Sequence, residues 1–158
     1  MTKLLFFPLF AFLFLVPPQN PTTEIDAFWD EMSRTVAEGE FEEYAALYHD
    51  DAVLVNGISG ESYPIASALD GWKQGFMDTQ AGKMKAGVEF RFSKRMHSET
   101  TAHDTGIFHY TSQMEGQEPQ PIYVHFQGLL VKKDGEWKLV MEYQESMADE
   151  EEWDNLKK

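Results

Sequence analysis

The segment IYVHFQGLLVKKDGEWKLVMEYQE, Ile122 to Glu145, holds two β-rich runs on either side of an Asp134-Gly135 pair. Asp-Gly tolerates the left-handed backbone that a two-residue hairpin turn needs, so the pair predicts a tight antiparallel hairpin. One strand is expected over Ile122–Lys132 and the next over Glu136–Glu145. Upstream, Glu115 to Pro121 is polar and carries two prolines, which marks a loop. Before it, Thr100–Met114 reads as a strand, and so does Val88–Arg95, where Phe90 and Phe92 alternate with charged neighbours. Further toward the N-terminus the apolar period changes from two to 3.6. Ile65, Ala68, Leu69, Trp72, Phe76 and Met77 form a helical stripe between Pro64 and Gly82. Phe41, Tyr44, Ala45 and Tyr48 predict a short helix. Phe28, Trp29, Met32 and Val36 predict a longer one, which opens near Pro21-Thr22-Thr23-Glu24, is capped by Thr22 or Thr23, carries Asp26 in its first turn and stops at Gly39. Ala52–Val55 reads as a short buried strand closed by Asn56-Gly57. Helices come first and long strands later, which is the order of an α+β fold. The expected architecture is a cone-shaped, curved antiparallel sheet packed on three N-terminal helices, with one internal pocket at its open end.

The chain has 158 residues, enough for one self-sufficient domain. It has no cysteine, which excludes disulfides, thiol nucleophiles and thiolate metal sites. Thirteen basic against 27 acidic side chains give a net charge of −14. That surface repels phosphate backbones and anionic membranes, so neither nucleic acid nor a membrane surface is an expected partner. Residues 1–19 read differently: Lys3 precedes an apolar run from Leu4 to Val16, ended by Pro17-Pro18-Gln19. The run is shorter than the roughly 20 residues of a bilayer span and has the pattern of a secretory signal peptide. An exported, periplasmic or extracellular protein is expected, with an anchored form as the alternative. The domain then covers residues 20–147, and 148–158 is an acidic tail carrying Trp153 and Leu156.

Three segments resemble the nuclear transport factor 2-like superfamily, in its SnoaL-like and ketosteroid-isomerase-like branch. Tyr48-His49-Asp50-Asp51-Ala52 is similar to the segment that opens the first strand there. Ala102-His103-Asp104-Thr105-Gly106-Ile107-Phe108 resembles the strand that reads alanine-x-acid-x-glycine-x-aromatic. Asp134-Gly135-Glu136-Trp137-Lys138-Leu139 resembles the final hairpin. The resemblance spans about residues 24 to 146. It implies a cone with a central pocket. It does not imply one activity, because the superfamily contains isomerases, cyclases, hydrolases, dehydratases, binding modules and assembly domains.

Alternation groups Ala102, Asp104, Gly106, Phe108 and Tyr110 on one face of their strand. The resemblance implies that this face looks into the pocket. Asp104 there is a candidate acid or base, or else a buried structural acid satisfied by a helix N-terminus or by Tyr or Trp donors. Val140, Glu142 and Gln144 share a face of the last strand. Glu142 stands where relatives carry an inward aspartate and is the second candidate. Two carboxyls in one cone would separate their pKa values, as an acid and a base require. Trp29, Tyr48 and Gln144 are further candidate pocket residues. His125 and Gln127 join them if their face of the Ile122–Lys132 strand is the inner one; otherwise His125 is exposed or at an interface. His103 and His109 lie on the face opposite Asp104. The five histidines form no close metal-binding pair, so neither a metal nor another cofactor is expected. Trp137, Leu139, Met141 and Tyr143 form an apolar strip opposite Glu142, suited to a homodimer through the convex sheet face. Three functions stay open: a binding module for a small apolar or amphipathic ligand, an acid/base enzyme on a small apolar carbonyl compound, and a dimeric assembly domain.

Overall fold

Helix α1 forms over Pro21–Glu38 because its apolar residues fall on one stripe. Ile25, Phe28, Trp29, Met32 and Val36 are all buried, with Thr35 among them. Burying each large side chain contributes about 2 kcal/mol. Thr22 and Thr23 lie inside the first turn instead of capping it from outside. The computed structural model describes residues 21–156. The signal peptide expected over 1–19 lies outside the described residues.

After α1 the order is α2 (Phe41–Ala46), β1 (Tyr48–Asn56), β2 (Glu61–Pro64), α3 (Ile65–Gln80), β3 (Met84–His97), β4 (Thr101–Met114), β5 (Gln120–Lys133), β6 (Glu136–Ala148) and α4 (Glu150–Asn155). The α+β class and the curved, unclosed sheet agree with the sequence reading. The sheet has six strands in the order β2-β1-β6-β5-β4-β3. β2 had no sequence signal. β1 pairs with β6 in parallel, so the sheet is mixed rather than wholly antiparallel. In the β5–β6 turn Asp134 and Gly135 have φ of +53° and +87°, as a primed hairpin turn requires. On α3 the stripe is narrower than its pattern: Ile65, Ala68 and Phe76 are buried, whereas Met77 is exposed.

Bulges decide which side chains enter the cone, because one extra residue reverses the alternation beyond it. In β3, Phe92 pairs with Gly106 and Lys94 with Thr105, leaving Ser93 extra. Arg95 and His97 therefore turn inward on the same side as Phe92. Gly106 makes room for this bulge: a Cβ there would lie 2.0 Å from the Arg91 carbonyl oxygen. In β6, Leu139 pairs with Leu130 and Met141 with Leu129, leaving Val140 extra. The apolar strip expected on one face is divided by this bulge. Trp137 and Leu139 enter the core, while Met141 and Tyr143 face the convex side with Leu129.

Part of that convex side is covered by the C-terminal tail. Asp149 and Glu152 form a reciprocal capping box that starts α4. The helix buries Trp153 beside His109 and Tyr123, and the Arg91 guanidinium stacks on its ring, 4.2 Å from the centroid. No helix of the described residues is long and apolar enough to cross a membrane.

Candidate functional site

The concave face of the sheet and helices α1 and α3 enclose a cavity of about 490 Å³. Trp29, Met32 and Val36 of α1 close one side, and Trp72 and Phe76 of α3 another. Phe90, Phe108, Tyr110 and Phe126 form the sheet wall. Ile58, Ile122 and Met147 belong to the lining and are half-exposed, so the rim is apolar as well.

Glu142 is the only charged side chain in the lining among the described residues. It is 9% exposed. The Tyr48 hydroxyl donates to its Oε2 at 2.6 Å, and Gln144 Nε2 donates to its Oε1 at 2.8 Å. Behind Tyr48 the Tyr44 hydroxyl follows at 3.0 Å. Burial pushes the Glu142 carboxyl above the ordinary carboxylate range, and the two hydrogen bonds oppose that rise only in part. Burial and the neighbouring Glu142 charge push the Tyr48 phenol far up, and the Tyr44 phenol is also raised, so both stay protonated. Tyr110, half-buried on the facing wall, is raised by burial. The arrangement is a carboxyl fed by neutral donors inside an aromatic chamber.

Asp104 points to the same side of the sheet but is not part of the cavity lining. It is fully buried, and both its oxygens are occupied. Trp29 Nε1 donates to Oδ2 at 2.8 Å. Arg95 donates from Nε to Oδ1 and from Nη2 to Oδ2, each at 3.2 Å, and His97 Nε2 lies 2.7 Å from Oδ1. Burial works against the Arg95 charge, but its bonds to Asp104 and Asp26 outweigh this and hold it above the ordinary arginine range. The expected pair of carboxyls sharing one cavity is corrected: Asp104 locks the Trp29 ring as a wall, and Glu142 alone faces the chamber.

Trp29, Phe108, Tyr110 and Gln144 all lie in the lining. Tyr48 stands behind Glu142, not in the wall. His125 and Gln127 are corrected to the convex face: His125 Nε2 is 3.2 Å from Glu152 of α4, and Gln127 bonds to Glu145 and to His103. Val124 and Phe126 take the inner positions of β5. Trp72, Phe76, Phe90 and Phe126 were missed as pocket residues. Their signal was present as ordinary core patterning, which does not separate a filled core from a hollow one. Arg95 and His97 were missed because the Ser93 bulge carries no mark in the sequence. Among the described residues, no three His, Asp or Glu side chains are placed to hold a metal ion.

A family profile described as a SnoaL-like domain matches residues 25–150. The chain belongs to the SnoaL-like domain family. Solved structures show the same fold. A conserved protein from Planctomyces limnophilus DSM 3776 superposes with a TM-score of 0.65 at 14% identity, over 77% of this chain and 92% of that one. An NTF-2 like protein of unknown function from Shewanella oneidensis MR-1 gives 0.60 at 17% identity, over 78% and 98%. A ketosteroid isomerase-like protein from Erwinia carotovora atroseptica SCRI1043 gives 0.54 at 14% identity, over 77% and 92%. No curated protein matched the sequence. At these identities the structural likeness establishes the SnoaL-like fold alone.

Proposed function

We propose that this SnoaL-like chain binds one small, largely apolar molecule in its cone and meets the polar end of that molecule with Glu142. The observation that supports this reading is a buried carboxyl, bonded only to Tyr48 and Gln144, in the wall of an aromatic cavity with an apolar rim. Such a hollow offers a guest hydrophobic burial and one orienting contact. A Cβ at Gly75 would lie 3.4 Å from Met84 Cε, which is itself in the lining, so Gly75→Leu projects into the chamber. In a thermal-shift screen of small aromatic and alicyclic compounds, a ligand should raise the Tm of the wild type and not that of Gly75→Leu. Equal shifts in both proteins would remove the chamber from the explanation.

The raised Glu142 carboxyl favours a second reading, proton transfer on a bound carbonyl compound. Here Glu142 acts without Asp104 and with the Tyr48 phenol as its hydrogen-bond donor. Solvent-deuterium exchange at the carbon beside a bound ketone should then occur in the wild type and stop in Glu142→Gln.

Export is proposed on the Leu4–Val16 run. Sequencing the N-terminus of the protein from its native source tests it: a chain starting near residue 20 is expected. Pairing of two copies through Leu129, Met141 and Tyr143 is proposed on their shared convex face. Light scattering that finds only monomer would exclude it.

A further inference from the structure

The chamber combines features that select the charge of its guest. Glu142 has no cationic partner, and no Lys, Arg or His side chain lines the cavity among the described residues. The groups that face it from each side are neutral. α2 presents Tyr44 and β1 Tyr48, β6 itself supplies Gln144, and β4 places Tyr110 across the chamber. The α1 and α3 walls add Trp29, Met32, Trp72 and Phe76, none of which titrates.

Tyr48 and Gln144 donate one hydrogen bond to each carboxylate oxygen, the pattern that serves the ionised form. Burial without a counter-charge penalises that same form. The donors therefore fit an anion whose positive partner the fold does not supply. Tyr44, Trp72, Phe76, Phe90, Phe108 and Tyr110 bring aromatic rings to the cavity, and a ring face attracts a cation in an apolar setting. The net charge of −14 draws cations toward the protein and repels anions.

We propose that the guest of this chamber is a hydrophobic cation, an amine or quaternary ammonium on a compact apolar body, with Glu142 as its counter-ion and the cavity rings as its cage. The inference rests on the chamber being a ligand site, and it names the class of ligand. A neutral guest held only through an acceptor oxygen would need the opposite protonation state, because Glu142 must then carry a proton to donate. The two classes thus differ in the sign of their pH dependence. Binding of a permanent cation strengthens as pH rises through the Glu142 transition and then levels off. Binding of a neutral acceptor weakens over the same range.

The test is calorimetric titration of the full chain with three probes of similar size, at pH 5 and pH 8. They are 2-naphthylmethyl-trimethylammonium, 2-naphthylmethanol and 2-naphthoate. The ammonium should bind about tenfold more tightly than the alcohol at pH 8, more tightly at pH 8 than at pH 5, and naphthoate weakest of the three. Glu142→Gln should erase the ammonium's advantage over the alcohol and its pH dependence. Gly75→Leu should abolish binding of both. If the alcohol binds as well as the ammonium at pH 8, and Gly75→Leu removes it, the cation is wrong and the chamber stands. If no probe binds, or if Gly75→Leu leaves binding unchanged, the chamber itself is refuted and the cation with it.

Discussion

Asp104 and Glu142 are the two buried carboxyls among the described residues, and the fold treats them in opposite ways. Asp104 is enclosed by the Arg95 guanidinium, His97 and the Trp29 indole, so its charge is neutralised within the protein. Glu142 receives two neutral donors and no cation. The first acid joins α1 to β3 and β4 and holds one wall of the cavity in place. The second faces the hollow that this wall encloses. Burial of an acid therefore does not identify a site. What distinguishes the two is whether the protein itself provides the counter-charge.

Asp104→Ala should produce the largest effect. It leaves Arg95 partly buried without its main partner, and a loss of about 3 kcal/mol is expected in urea unfolding. A loss under about 1 kcal/mol would break the contrast between a locked acid and an open one. Next comes Gly106→Ala, which forces a methyl against the Arg91 backbone at the Ser93 bulge. It should cost about 1–3 kcal/mol and shift the Trp29 indole N–H resonance, because the same bulge brings Arg95 and His97 to Asp104. An unmoved indole signal would uncouple the bulge from the lock.

Tyr48→Phe removes the stronger donor to Glu142 and should cost about 1 kcal/mol. It should also raise the Glu142 carboxyl further, measurable by carbon-13 titration. The sign for stability follows from the direction of the shift. The folded form holds its proton to a higher pH than the unfolded chain does, so stability falls as pH rises from the ordinary glutamate value through the raised one. Glu142→Gln should therefore gain on the wild type as pH increases, and a constant difference between pH 4 and 8 would contradict the raised carboxyl. The smallest effect is expected for His125→Ala combined with Gln127→Ala, both on the convex face. Ligand affinity should stay within about a factor of two, and a larger change would return that face of β5 to the site.

Much of the fold could be read from local patterns. The Asp134-Gly135 turn, the α1 stripe and the grouping of Ala102, Asp104, Gly106, Phe108 and Tyr110 on one face of β4 need only the φ tolerance of turn residues and the periods of helix and strand. The candidate site was legible where alternation runs unbroken: it grouped Asp104, Phe108 and Tyr110 on one face of β4, and the family resemblance implied that this face is the inner one. β2 went unread because Glu61–Pro64 is short and half polar. It forms where its backbone can pair with β1. His125 and Gln127 could not be placed, since the inner face of β5 depends on which of its two faces meets Trp29.

An acidic α+β domain with three amphipathic helices and long alternating strands can be read along the chain, because these features follow from contacts between near neighbours. The bulges at Ser93 and Val140, the parallel pairing of β1 with β6, and the meeting of one acid with an arginine and the other with a tyrosine emerge only when the chain is folded. Those outcomes depend on how distant strands share hydrogen bonds, and a single extra residue in one strand moves every later side chain to the opposite face.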